Sequence, residues 1–256
     1  MAQAAGPAAH GLLEGKVVVI TGAAQGMGQG HLERCVAEGA SVVATDLQAE
    51  AGRAAVSALG EGAVFVEHDV TDAGAWDRVV ATALDRFGRI DGLVNNAAIL
   101  LGTCRFDEET VERVERTFRV NVLGSFLGVK KVTDPMRDGG GGSIVNISST
   151  AGIRALAGFA AYGTSKWAVR GMTKIAAMDL GPLGIRVNSV HPGGIEETGM
   201  FSLGASTEEQ TARLAHIPAR RHGARSDVSS VVTYLLSDLS AYVTGVEHIV
   251  DGGSTL

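Results

Sequence analysis

No run of about 18 consecutive apolar residues occurs anywhere in the 256-residue chain, so no membrane-spanning helix is expected. Cysteine is scarce. Cys35 and Cys104 stand alone, with no C-x-x-C pair and no Cys/His cluster, which argues against a disulfide framework and against a metal site. Basic charge is in deficit: 22 Lys and Arg face 28 Asp and Glu, a net charge of -6, whereas nucleic-acid binders carry a basic face. The first residues have neither the basic start nor the apolar core of a secretory signal, so residues 1–14 read as a loose tail. A cytoplasmic protein with reduced thiols is expected. Charged residues are few, at 20%, and glycines are many, at 35, which suits a compact chain with tight turns.

Short apolar runs alternate with longer amphipathic ones. Lys16–Thr21, Ala40–Asp46, Ala63–His68, Ile90–Asn95, Ser143–Ser148, Ile185–Val190 and Glu247–Val250 read as strands, most of them rich in β-branched residues. Helices are predicted over Gly26–Gly39, Ala49–Leu59, from an Asp72 cap to about Phe87, over Asp107–Met136 and Phe159–Leu180, and over Asp227–Leu236. Gly139 to Gly142 read as a turn. Strict alternation of this kind implies an α/β fold: one parallel sheet of about seven strands, doubly wound, with helices on both faces and right-handed crossovers. No linker or composition break divides it, so residues 15–256 are expected to form a single domain.

Between the first strand and the first helix lies Thr21-Gly22-Ala-Ala-Gln25-Gly26-Met27-Gly28. A doubly wound fold of the Rossmann type binds a dinucleotide at this place. The glycines allow a tight turn and let backbone approach the pyrophosphate, and the helix N-terminus attracts its charge. Asp46 ends the second strand 18 residues after Gly28, followed by Leu47. A carboxylate there can bind the adenosine ribose hydroxyls and would repel a 2′-phosphate. No Arg or Lys occupies 45–47, so NAD is expected rather than NADP.

Tyr162 and Lys166 are four residues apart, which puts them on one face of a helix. A free phenol, with a pKa of about 10, is a poor base near neutrality. A cation beside it favours the phenolate, and lowering the phenol by about three pH units takes roughly 4 kcal/mol. Further strings stand in order along the chain: Asp69-Val70, Asn95-Asn96-Ala97-Ala98, Asn121, Asn146-Ile-Ser148-Ser149, Tyr162 with Lys166, Pro192-Gly193 and Asp251-Gly252-Gly253. In this order they closely resemble the short-chain dehydrogenase/reductase family, in its short subfamily, from about Gly15 to Gly253. The stretch from Gly142 to Pro192 is most similar to bacterial hydroxysteroid dehydrogenases of the 3α/20β type and related secondary-alcohol dehydrogenases.

The resemblance implies roles residue by residue. Tyr162 would be the general acid/base, and Lys166 would lower its pKa and bond the nicotinamide ribose. Ser149, thirteen residues before Tyr162, would hold the substrate oxygen in preference to Ser148. Asn121 would bend its helix and hold a water linking Lys166 to solvent. Gly22, Gln25, Gly26, Met27, Gly28, Asp46, Leu47, Asp69, Val70, Asn96, Ala97, Ala98, Pro192, Gly193, Ile195 and Thr198 would line the NAD cleft. Two departures stand out. Ala98 occupies a position that is usually Gly, and the loop Pro192-Gly-Gly-Ile-Glu-Glu-Thr198 is one residue longer than the usual Pro-Gly-x-x-x-Thr, which puts the role of Thr198 in doubt.

Leu100, Leu101, Ile153, Leu156, Phe159, Met200, Phe201 and Leu203 offer an apolar wall, with Leu101, Leu156 and Met200 expected at the substrate beside Ser149 and Tyr162. A lid is expected at about 195–217. The substrate class that follows is a small hydrophobic secondary alcohol or its ketone: a steroid, a terpenoid or a cyclic alcohol. Arg105 and Arg154 are the basic residues near this wall. A non-enzymatic NAD sensor and a reductase of carrier-bound 3-ketoacyl groups are the competing functions. By resemblance the chain should form a homotetramer, with neither a membrane nor a nucleic acid as partner.

Overall fold

The computed structural model describes residues 11–196, 198, 214 and 217–256. Met200, Phe201, Leu203 and most of the expected lid lie outside the described residues. The chain alternates β1 (Val17–Thr21), α1 (Gly26–Ala37), β2 (Ser41–Asp46), α2 (Ala49–Ser57), β3 (Ala63–Glu67), α3 (Ala73–Phe87) and β4 (Gly92–Asn95). It continues through α4 (Val111–Phe118), a π-helical segment (Arg119–Gly124), α5 (Ser125–Asp138), β5 (Gly142–Ile147), α6 (Ala160–Leu180), β6 (Ile185–Pro192), α7 (Arg225–Leu236) and β7 (Glu247–Val250). All seven strands are parallel, in the order β3-β2-β1-β4-β5-β6-β7.

Strand order reverses between β1 and β4, so the connections leaving their carboxyl ends diverge and leave a crevice there. Central strands are buried on both faces, which is why they read as continuous apolar runs. Alternate residues divide between two cores. Val18 and Ile20 pack towards α1 and α7 with Leu32, Val228, Val232 and Leu235; Val17 and Val19 pack towards α3, α5 and α6 with Trp76, Val79, Val132 and Met136. Cys35 is fully buried, its thiol pushed up to about 12 by burial, and both cysteines are free.

Two expectations need correction. Residues 11–14 are not a loose tail: Leu13 is fully buried in the first core and donates its N–H to the Glu38 carbonyl at 2.9 Å. The helix expected over 107–136 is broken into α4, the π-segment and α5, with a 3-10 turn over Phe106–Glu108 ahead of them. The break falls at Asn121, which the resemblance expected to bend this helix. Its side chain bonds both the N–H (2.8 Å) and the carbonyl (3.1 Å) of Ile99, across a loop that helical periodicity does not report. Asp72 caps α3 as expected, accepting from Gly74 N–H at 2.8 Å. Smaller differences are a β4 that starts at Gly92, a β6 that runs on to Pro192 and an α7 that starts at Arg225.

Candidate active site

The crevice at the β1–β4 reversal is built from backbone first. Gly22 and Gly26 take φ of 66° and 57°, which side chains rarely adopt. Gly28 packs so closely that a Cβ there would lie 1.9 Å from the Gly22 carbonyl oxygen. Thr21 Oγ1 accepts the N–H groups of Asn96 and Ala97, both at 3.1 Å. Asn96 Nδ2 donates to the Thr21 and Gly22 carbonyls at 3.0 and 3.1 Å. Asn96 therefore braces the glycine loop, a more structural position than a simple cleft lining. Gln25 is exposed at the loop tip and Met27 is half-buried on the first turn of α1.

Asp46 stands at the end of β2 with its carboxylate tied on both sides, accepting Ala24 N–H at 3.1 Å and Gln48 N–H at 3.0 Å. Leu47 beside it is exposed. Beyond β3, Asp69 is exposed and turns its carboxylate to Thr71 N–H at 2.8 Å. Val70 is buried, and its carbonyl accepts Trp76 Nε1–H at 3.0 Å. Across the crevice, Pro192 and Ile195 are buried; Gly193 donates to the Val250 carbonyl at 2.9 Å, in a fit that a Cβ would break against Asp251. Thr198, at the end of the longer loop, lies near Gly26. A Cβ on Gly26 would lie 3.8 Å from Thr198 Cγ2, and Thr198 Oγ1 donates to the Ile195 carbonyl at 2.9 Å. A cradle of glycines that leaves room only for backbone, opposite a fixed carboxylate, fits a dinucleotide.

At the carboxyl end of β5, Ser149 turns into a short 3-10 turn, its Oγ accepting Ala151 N–H at 3.1 Å. The Ser149 side chain lies beside the Tyr162 phenol and favours its ionised form. Ser148, the rival, faces away and donates to the Lys166 carbonyl at 2.9 Å in the core. Lys166 is 2% exposed, its Nζ donating to the Ile147 carbonyl at 2.9 Å and lying 5.6 Å from the Tyr162 ring centroid. Asn121 Nδ2 reaches Ser165 Oγ at 3.0 Å, and Ser165 donates on to the Tyr162 carbonyl at 2.7 Å. This chain holds the helix turn that carries the Tyr.

Within the protein alone, packing works against the phenolate: burial raises the Tyr162 pKa and outweighs Ser149, which acts the other way. Burial also lowers Lys166 to about 8. With its ammonium spent on Ile147, Lys166 does not offset the desolvation of the phenol in this arrangement.

Ala97, Ala98, Leu100, Leu101, Ile153, Leu156 and Phe159 are all half-buried along the loops after β4 and β5. The two loops are stitched by Cys104 N–H to the Gly158 carbonyl at 3.1 Å. The Phe159 ring stands edge-on to Tyr162 at 6.2 Å between centroids. Arg105 is paired with Asp107 at 3.0 Å and Arg154 is exposed. Among the described residues no cluster of His, Cys, Asp or Glu could hold a metal, and no helix is long and apolar enough to cross a membrane. Motif reading passed over one site residue: His191, whose ring reaches the Ser149 carbonyl. Its signal was an imidazole at the end of a strand, directly before Pro192-Gly193.

A family model described as enoyl-(acyl carrier protein) reductase matches residues 22–255. The chain belongs to the short-chain dehydrogenase/reductase family. It is 43% identical over 245 residues to a 3-alpha-(or 20-beta)-hydroxysteroid dehydrogenase of Mycobacterium tuberculosis, covering 95% of this chain and 91% of that protein. It is 40% identical over 249 residues to a trans-4-hydroxycyclohexanecarboxylate dehydrogenase of Sinomonas cyclohexanicum, covering 94% and 93%. It is 41% identical over 249 residues to a cyclopentanol dehydrogenase of Comamonas testosteroni, covering 96% and 99%. As a family member of this kind the chain is an oxidoreductase, an alcohol dehydrogenase or ketoreductase that works with a nicotinamide cofactor.

Proposed function

We propose that this chain interconverts a hydrophobic secondary alcohol and its ketone with NAD as coenzyme, using Tyr162 as general acid/base and Ser149 to hold the reacting oxygen. The observation that carries the reading is the meeting of the Tyr162 phenol and the Ser149 side chain, with the Lys166 ammonium below the ring, at the edge of an apolar cleft. A bound nicotinamide supplies the hydride acceptor or donor. In the oxidation direction Tyr162 Oη, as phenolate, takes the hydroxyl proton, and Ser149 Oγ donates a hydrogen bond to the oxygen as it becomes a carbonyl. In reduction the phenol returns that proton. Proton transfer of this kind contributes typically about 10² to 10⁴-fold. Lys166, cationic below a pH of about 8, favours the phenolate once its charge is directed at Tyr162. Asn121 and Ser165 hold the helix turn that presents the phenol.

Gly22, Gly26 and Gly28 would cradle the pyrophosphate, with Gln25 and Met27 around them and Thr198 closing from the far side. Asp46 would take the adenosine ribose hydroxyls and exclude a 2′-phosphate, which supports NAD over NADP. Leu47, Asp69 and Val70 would flank the adenine, and Asn96, Ala97, Ala98, Pro192, Gly193 and Ile195 the inner half. Leu101 and Leu156 would face the substrate. The three relatives are named for ring alcohols, which supports a ring-bearing substrate over an open chain.

The test is NADH formation with cyclopentanol, cyclohexanol, trans-4-hydroxycyclohexanecarboxylate and a 3α-hydroxysteroid, each with NAD or NADP, alongside reduction of acetoacetyl and enoyl thioesters. Turnover of a ring alcohol with NAD preferred supports the proposal. Activity confined to the thioesters, or tight NAD binding without turnover of any alcohol, overturns it.

A further inference from the structure

His191 lies in β6, immediately before Pro192, and is completely buried. Both ring nitrogens are engaged. Nδ1 is 3.1 Å from the Ser149 carbonyl oxygen and Nε2 is 2.8 Å from Ser189 Oγ. A carbonyl can only accept, so Nδ1 must carry the hydrogen; Nε2 of the neutral ring then accepts the Ser189 hydroxyl proton. The tautomer is therefore fixed by chemistry. His31 and His68 differ: each is buried with an unpartnered Nε2. Three charged groups face the His191 ring, Glu247 from β7 and Arg170 and Lys166 from α6; burial dominates and holds the ring below its ordinary pKa, hence neutral near pH 7.

The Ser149 carbonyl is held from two sides, by His191 and by Gly152 N–H at 2.9 Å. The residue before it is equally fixed: Ser148 N–H donates to the Val190 carbonyl at 2.8 Å and Ser148 Oγ to Lys166. Ser149 itself is extended, at φ -169° and ψ 161°, and its Oγ accepts Ala151 N–H at 3.1 Å while lying beside the Tyr162 phenol. Of the anchors on Ser149, only His191 is a side chain from another strand. It also joins two halves of the site, because the strand that carries it ends at Pro192.

We infer that His191 is a positioning residue for the reaction: its Nδ1–H holds the Ser149 main chain so that the Ser149 hydroxyl meets the substrate oxygen. The inference rests on the catalytic reading of Ser149 and Tyr162 above. Because a displacement of about 1 Å at a reacting group can cost about 10²-fold, loss of this anchor should act on turnover.

The experiment compares His191→Asn, His191→Gln, His191→Ala, Ser149→Ala and the Ser149→Ala/His191→Ala double variant, using the ring alcohol that the wild-type chain turns over fastest. kcat, KM for the alcohol, NADH affinity by fluorescence titration and Tm are read for each. Asn places an amide N–H where Nδ1 stands, whereas Gln places one where Nε2 stands. His191→Asn should keep kcat within about 3-fold, while His191→Gln and His191→Ala lose about 10 to 100-fold in kcat with NADH affinity retained. On the Ser149→Ala background, His191→Ala should cost less than about 2-fold more, because it acts through the residue already removed. Full kcat in His191→Ala, equal losses in Asn and Ala that track Tm, or an additive loss in the double variant overturns the inference. Wild-type turnover in Ser149→Ala overturns the catalytic reading instead.

Discussion

Burial disfavours the charge on both Tyr162 and Lys166, yet the chemistry asks for a phenolate beside an ammonium. Packing alone therefore opposes the catalytic ionisation state, and the site needs positive charge brought to the phenol. That conflict was illegible in the sequence. Spacing shows that Tyr162 and Lys166 share a helix face, but desolvation is a property of everything packed around them. The same holds for His191, whose contact joins β6 to the turn after β5. The place of Asp46 was legible because its signal is local: a carboxylate at the end of the second strand. Its role makes a prediction at this scale. Asp46→Ala should weaken NAD and narrow the NAD-to-NADP preference by at least about tenfold, since a charge-assisted hydrogen bond pair is lost and a repulsion removed. Steady-state kinetics with both coenzymes checks this, and an unchanged preference would refute the role.

Elements were read from periodicity, and periodicity succeeded where local pattern decides the outcome. All seven strands and the Asp72 cap lie where the runs of apolar residues and the capping chemistry put them. Periodicity missed the break in the helix expected over 107–136 because Asn121 bonding Ile99 is tertiary; only the family resemblance marked Asn121 as a bend. Leu13 escaped for a similar reason: the Leu12-Leu13 pair between two glycines shows nothing until the core receives one of them. α5 makes a test of element packing. At Gly128 a Cβ would lie 2.5 Å from Asn95 Oδ1 and 2.8 Å from the Trp76 ring, so α5 can approach the sheet only with glycine there. Gly128→Ala should cost about 1–3 kcal/mol of stability. Urea unfolding followed by tryptophan fluorescence measures it, and an unchanged midpoint contradicts this packing account.

For the molecule as a whole, the apolar surface left on α5 and α6 argues for assembly. Phe126, Trp167, Ile175 (65% exposed) and Met178 (79% exposed) lie there, and Tyr242, Ile249 and Leu256 are exposed around β7. We propose that each face packs on its own copy in a neighbouring subunit, the α5/α6 face across one two-fold axis and the β7 face across another, in a homotetramer. Light scattering should return four times the chain mass; a monomer mass contradicts this. Acid stability is a second global property. Burial lowers His31 to about 3 and His68 to about 4, whereas the unfolded chain protonates histidine near pH 6.5. Between those values the unfolded state binds more protons, so stability falls as pH drops from about 6.5 towards 4, by up to about 1.4 kcal/mol per pH unit for each histidine. Denaturant melts at pH 7 and pH 5 measure the loss. Equal midpoints would show that these rings are not held neutral.

The central claim is that Tyr162 moves the proton, and one substitution isolates it. Tyr162→Phe keeps the ring, its packing against Phe159 and the whole crevice, and removes only the hydroxyl. With the fastest ring alcohol and NAD, kcat of this variant should fall by about 10² to 10⁴-fold while NADH binds as tightly as to the wild-type chain. A variant that turns over within tenfold of wild type would contradict the account.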